Sequence, residues 1–193
     1  YDISDSAFQL CDQRWKEKNP LEFHKVFYIK NLKDVPKEID LAIIATTADV
    51  RASLVTKLKT KRLVRNWILE KLLAQSISDL NILNDQLGNH PSVVINTPMH
   101  IYPLYKEVKL KSPKNVPVEA EFKGFNGLLC NSIHYIDLIQ RWNNSPIAYI
   151  NVEKLGKKWF VSKRGQFLDS EGEINVSYED KSVLSLISYR DDL

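Results

Sequence analysis

Leu41-Ala42-Ile43-Ile44-Ala45-Thr46-Thr47-Ala48-Asp49 and Trp67-Ile68-Leu69-Glu70-Lys71 decide how this chain is read. Each is a short apolar run suited to a buried strand, and each turns polar where the strand should end. In an open parallel sheet, ligands bind in the crevice beyond the carboxyl ends of the strands. Two such ends, one opening into Thr46 and Thr47 and the other into Glu70 and Lys71, predict one ligand site. A Glu-Lys pair after an apolar run is by itself only a solvated strand exit, so the reading depends on the rest of the chain.

The flanking sequence alternates between helix and strand. Ser6 and Gln9 form a capping box, and Phe8, Cys11 and Trp15 then recur at helical spacing as far as Asn19-Pro20. Residues 25–29 (Lys-Val-Phe-Tyr-Ile) predict a short strand. Residues 49–61 predict a helix with Val50, Leu54, Val55 and Leu58 on one face. Ser76 and Asp79 form a second capping box, Leu80, Leu83 and Leu87 supply the apolar face behind it, and Gly88 stands at the end of that helix. Residues 93–95 read as the next buried strand. This alternation predicts right-handed βαβ units, so residues 1–97 are expected to form a Rossmann-like parallel sheet.

The pattern changes after Thr97-Pro98, a helix cap with a first-turn proline. A helix is expected over 99–110, a strand with one wet face over 118–122, and a helix over 128–142. Short β-type runs follow at 148–152, 159–162, 173–178 and 182–188, punctuated by Gly156, Gly165 and Gly172. Consecutive strands joined by short turns predict an open, mainly antiparallel sheet, so residues 98–193 are expected to form an α+β domain.

Composition narrows the function classes. The chain has 193 residues, 44% of them hydrophobic, enough to bury a sizeable core. Its apolar runs fall far short of the roughly 20 residues that cross a bilayer, and no signal-peptide pattern opens it, so a cytoplasmic protein without membrane contact is expected. Cys11 and Cys130 lie far apart without CxxC spacing, which favours neither a disulfide scaffold nor a cysteine zinc site. The net charge of +3, from 27 basic and 24 acidic residues, demands no polyanionic partner. One segment is locally basic, with Arg51, Lys57, Lys59, Lys61, Arg62 and Arg65. It reads as a solvated helix face, with an anionic ligand as the sharper alternative; nucleic acid is not expected, since no nucleic-acid motif accompanies it.

Several side chains suit chemistry. Lys71, at a strand end beside apolar neighbours, can hold a hydroxyl or polarise a carbonyl, and Glu70 is placed to pair with it or fix the loop. His134 lies in Gly127-Leu128-Leu129-Cys130-Asn131-Ser132-Ile133-His134-Tyr135-Ile136-Asp137, where a helix puts Cys130 one turn before it and Asp137 one turn after. It suits general acid-base work near neutral pH, or else a core histidine bonded to Asp137. A Cys130-His134-Asp137 nucleophilic triad is disfavoured, because all three lie on one short segment. His24, His90, His100 and His134 are scattered without metal-ligand spacing, so no metal site is expected. Tyr102 and Tyr105 beside Lys106 and Lys109 offer a sugar-stacking or anion-binding wall. The first glycine of the chain is Gly88, so it has no glycine-rich phosphate turn after a first strand.

Read in order, three segments resemble the glucose-fructose oxidoreductase and inositol dehydrogenase family. Ala45-Thr46-Thr47-Ala48-Asp49 is similar to the family's Ala-Thr-Pro-Asn loop beside the nicotinamide, Glu70-Lys71-Leu72 is similar to its Glu-Lys-Pro, and residues 127–137 are similar to its Gly-x-Leu-x-Asp-x-Gly-x-His-x-x-Asp helix. The resemblance implies hydride transfer between NAD or NADP and a sugar or nucleotide-sugar hydroxyl. Lys71 would hold the reacting oxygen and His134 would take its proton, with Cys130 and Asp137 in supporting positions. Thr46, Thr47, Glu70 and Lys71 would face the cofactor, and Asp2 would recognise its ribose. Asn96, His100 and Tyr105 would face substrate, through a stretch similar to that of members acting on nucleotide sugars. A homo-oligomer built on the open sheet is expected too. Two departures are specific: Cys130 stands where the family has an aspartate, and Ser132 where it has a glycine. The glycine-rich turn and the last strands of the family are expected to lie outside this chain. A catalytically impaired member that binds a sugar or a partner is the alternative.

Overall fold

The computed structural model describes residues 1–18, 24–113, 116–124, 127–162 and 167–189. Asn19, Pro20 and Gly165, read above as punctuation, lie outside them. The chain divides into two compact units, the first comprising residues 1–69 and 74–94, the second Glu70–Leu73 and residues 95–193.

The first unit opens with α1 (Asp5–Lys18). Its cap is Ser4, whose hydroxyl accepts from Ala7 N–H (3.3 Å), and not the predicted Ser6. Residues 25–30 join no strand ladder, contrary to the predicted strand; Asp2 N–H reaches the Ile29 carbonyl (3.2 Å). The parallel ladder begins instead at β1 (Glu38–Ile39), which continues after a break as β2 (Ala42–Ile44). Beyond α2 (Ala48–Lys61), β3 (Leu63–Val64) pairs with β1 and β4 (Trp67–Glu70) with β2 in the same register. α3 (Ile77–Leu87) and β5 (Val93–Asn96) follow, and β5 lies beside β4. The predicted cap of α3 is present: Ser76 Oγ accepts from Asp79 N–H (3.0 Å).

Burial in β2 alternates. Ala42 and Ile44 are buried while Ile43 is 60% exposed, so β2 covers one face only, where burial on both faces was expected. Trp67 and Leu69 of β4 are buried, as are Val55, Leu58, Leu83 and Leu87 on the apolar faces of the two helices. On α2 the buried face is shifted from the predicted one: Arg51, Ala52, Val55 and Leu58 are buried and Val50 is exposed. The basic segment is not a plain solvated face. The guanidinium of Arg51 donates to the Thr46 carbonyl, and Arg62 donates to the carbonyls of Leu32 (2.9 Å), Lys33 (2.8 Å) and Val35 (2.9 Å).

In the second unit a 16-residue helix packs on a mixed sheet, preceded by shorter helical elements. The helix predicted over 99–110 is two elements, a 3-10 turn at Pro98–Ile101 and α4 (Pro103–Lys111). Pro103 disfavours helical geometry at Tyr102, which is extended (φ −67, ψ 137). β6 (Glu119–Lys123) leads to α5 (Leu128–Asn143), then β7 (Ile147–Asn151), β8 (Leu155–Val161), β9 (Leu168–Tyr178) and β10 (Val183–Ser188). β9 pairs antiparallel with β7, β8 and β10, and β6 adds to β10 in parallel. Leu128 and Ile139 of α5 pack against Ile174, Val176, Leu184 and Leu186 of the sheet. Full burial of such side chains contributes about 1.5–3 kcal/mol each. Among the described residues, no helix is long and apolar enough to cross a membrane.

Candidate functional site

Lys71 follows β4 directly, and its ammonium reaches the first turn of α5. It donates to the Cys130 carbonyl (2.7 Å) and to Asn131 Oδ1 (2.6 Å). Asn131 was not among the expected site residues; its place in the motif between Cys130 and His134 was the signal available. The Lys71–Leu72 peptide bond is cis, where the resemblance puts a proline. The Glu70 carboxylate accepts from the Asn96 side-chain amide at the end of β5.

His134 lies one turn beyond Cys130 on α5. Its ring Nδ1 is buried and has no hydrogen-bond partner among the described residues. Burial lowers its pKa from the usual value, and the charge of Lys71 lowers it further, while Glu70 and Asp137 oppose both. The imidazole is therefore held neutral at neutral pH. A His134-Asp137 bond, one of the sequence readings, is not formed: the Asp137 carboxylate accepts from Arg141 Nε (2.8 Å) and lies 3.8 Å from His100 Nδ1. His100 Nδ1 also donates to the Thr97 carbonyl (2.9 Å).

Asp137 thus connects the surroundings of His134 to a cavity of about 370 Å³ lined by His100, Lys106, Lys109, Arg141, Trp142 and Asn144. Lys109 Nζ donates to the Arg141 carbonyl (2.8 Å) at the end of α5. Tyr105 stacks on Tyr102 (6.4 Å between ring centroids) and meets the Trp142 ring at a tilt (6.3 Å). Of the aromatic and basic wall read from the sequence, Tyr105, Lys106 and Lys109 are on α4 and Tyr102 immediately precedes it.

The Cys130 thiol lies against the start of α5, with its sulfur 3.7 Å from the Gly127 carbonyl. Burial raises its pKa, the carboxylate of Asp169 raises it further and Lys71 lowers it. Asp169, on β9, was missed in the sequence. It is buried, and its Oδ1 accepts from the N–H groups of Leu129 and Ser170, both at 2.9 Å. Gly127, the residue before α5, has φ +81, and a Cβ there would lie 2.7 Å from Cys130 Sγ.

The remaining expected residues belong to the first unit. Thr47 precedes α2 without a side-chain cap bond. Thr46 stands just beyond the carboxyl end of β2, and its hydroxyl oxygen is buried without a hydrogen-bond partner among the described residues. An orphaned buried hydroxyl at a strand end suits a ligand group. Asp2 accepts from Ser4 N–H (2.8 Å), at the entry to α1. Among the described residues, no three His, Cys, Asp or Glu side chains converge as a metal would require.

Neither models of known protein families nor curated protein sequences give a match to this chain. Solved structures do. The UDP-N-acetylglucosamine 3-dehydrogenase GnnA from Acidithiobacillus ferrooxidans matches with a TM-score of 0.64 at 12% identity, over 93% of this chain and 60% of that one. The myo-inositol dehydrogenase from Lactobacillus casei, solved with NAD(H) and myo-inositol, matches with a TM-score of 0.67 at 12% identity, over 97% of this chain and 57% of that one. The transcriptional regulator Gal80p from Kluyveromyces lactis also matches, with a TM-score of 0.67 at 14% identity, over 100% of this chain and 57% of that one. The chain spans 57–60% of the length of these proteins. The likeness is one of architecture, and the chain has the fold of the glucose-fructose oxidoreductase and inositol dehydrogenase group.

Proposed function

We propose that this chain forms part of an NAD(P)-dependent oxidoreductase that moves hydride to or from a sugar or nucleotide-sugar hydroxyl or ketone. The observation that carries this reading is the convergence of Lys71 with the first turn of α5, one helical turn before a histidine held neutral. A bound nicotinamide would supply the hydride chemistry, accepting the hydride from the alcohol carbon or returning it to the ketone. The resemblance assigns Thr46, Thr47, Asp2, Glu70 and Lys71 to the cofactor.

The protein's own part is positioning and proton handling. Lys71 donates to the reacting oxygen and stabilises negative charge that develops there. His134 takes the hydroxyl proton as the carbon–hydrogen bond breaks, and gives it back in the reverse direction. A neutral imidazole is the form that can accept a proton, and the lowered pKa of His134 keeps it in that form. Asn96 and His100 face the substrate in this reading. The cavity beyond Asp137, with Lys106, Lys109 and Arg141 around the Trp142 ring, favours a substrate with a phosphate-bearing end over a neutral polyol.

The test is cofactor binding and turnover by the intact protein. NADH or NADPH fluorescence should change on binding, and UDP-sugars should be turned over ahead of inositol. His134→Gln should lower kcat by ~10²–10⁴-fold, the range for loss of a general base. Failure of both cofactors to bind sinks the reading.

A second reading, a ligand-binding member without turnover, is favoured by Cys130. Its thiol is neutral where the resemblance places a carboxylate, and a transcriptional regulator shares the fold. Binding of a nucleotide sugar with no hydride transfer across pH 5–9 would select it.

A further inference from the structure

We propose that Asp169 is the positioning residue of this site, a carboxylate delivered from β9 that does for α5 what Cys130 does not. The proposal deepens the oxidoreductase reading and depends on it only for its activity arm. Asp169 is 1% exposed, and a buried carboxylate costs several kcal/mol unless hydrogen bonds and opposing charge offset that cost. Both are present. Helix N-termini leave N–H groups without intrahelical partners, and the residue before α5 is a glycine with no side chain to cap them. Asp169 Oδ1 accepts one of these, from Leu129, together with its neighbour Ser170 N–H, and its charge lies at the positive end of a 16-residue helix.

The same turn is held at its carbonyl side by Lys71, through the Cys130 carbonyl and Asn131 Oδ1. Anion and cation therefore grip one turn from opposite polar ends, and His134 follows one turn later. The carboxylate and the thiol approach one another because residue 127 is glycine. A Cβ there would lie 3.1 Å from Asp169 Oδ2 as well as against the sulfur. Cys130 consequently feels both charges, Asp169 favouring the thiol and Lys71 the thiolate. Loss of Asp169 would free the first turn and turn the Lys71 acceptors away.

The experiment follows the ionisation of Cys130 by the pH dependence of iodoacetamide alkylation. It uses a Cys11→Ser background, because Cys11 is exposed and would react as well. Asp169→Asn keeps the shape and removes the charge. It should lower the alkylation midpoint, so that Cys130 reacts faster below it. Lys71→Met, which leaves Asp169 untouched, should raise the midpoint and keeps the test decisive if Asp169→Asn does not fold. Unmoved midpoints would mean that neither charge lies against the Cys130 thiol, and that result overturns the proposal. In the intact protein Asp169→Asn should also lower kcat ~10–100-fold with little change in KM for the cofactor; an unchanged kcat in an active enzyme counts against it. If the parent protein shows no turnover, the oxidoreductase reading fails and the two midpoints still decide the role of Asp169.

Discussion

Lys71→Met replaces an ammonium by a thioether of nearly the same reach, and two separable effects should follow. The first is stability. A hydrogen bond to a charged group contributes about 1.5–3 kcal/mol, and Lys71 makes two to α5, at 2.7 and 2.6 Å. The Cys130 carbonyl also serves the helix ladder, and Asn131 is half-buried and able to turn toward water, so neither acceptor is left fully unpaired. A net loss of about 2 kcal/mol results, or roughly 4–8 °C in Tm for a protein of this size. The second effect is electrostatic. The charge of Lys71 is, after burial, the larger force holding the His134 pKa down, and its removal must move that pKa upward. Differential scanning calorimetry reads the first effect. Proton NMR of the four histidine Cε1–H signals reads the second, with His134 assigned by its loss in His134→Gln. A Tm within about 1 °C of the parent, or a His134 midpoint that stays or falls, would refute the placement of Lys71 against α5.

Two further outcomes follow from the same site. Because the native pKa of His134 lies below the usual 6.5, the folded state binds fewer protons there than the unfolded chain, so its contribution to stability falls as pH drops below about 6.5 and the loss is complete below the native pKa. Urea midpoints between pH 7.5 and 5 should therefore fall less steeply in His134→Gln than in the parent, and parallel curves would contradict this. Gly127→Ala should destabilise by about 2–4 kcal/mol, combining the left-handed backbone cost with the 2.7 Å approach to Cys130 Sγ, whereas Gly124→Ala, with φ +73 and no atom within 4 Å of its Cβ, should cost about 1–2. Equal urea midpoints for the two variants would remove the argument for crowding at the start of α5.

Periodicity made α2, α3 and α5 legible, since each carries its apolar residues at a helical repeat over three or more turns. The strand ends at Thr46 and Lys71 were legible for a different reason: an apolar run that stops in polar residues marks its own boundary. The failures were those of context. Residues 25–29 have the composition of a strand but no neighbouring edge to pair with, and composition carries no information about neighbours. Arg51 looked like one cation in a basic run, although burial against the Thr46 carbonyl depends on the turn before α2. Asp169 was the largest omission. It acts on Leu129 across 40 positions, and Leu168-Asp169-Ser170 buries two successive residues where strand alternation would bury one. The lysine and histidine could be named from local motifs, whereas the carboxylate beside them is visible only once β9 has been folded onto α5.

β9 also has a bearing on how the second unit comes into being. It is the strand that β7, β8 and β10 all share, and β10 supplies Leu184 and Leu186, both fully buried in the core. β10 follows the other described elements of this unit, and its second neighbour, β6, precedes it by 64 positions. A ribosome adding about 5–20 residues per second therefore finishes α5, with its apolar side prepared, several seconds before β10 exists to cover it. Until synthesis has passed Ser188, α5 lacks the apolar cover that Leu184 and Leu186 provide.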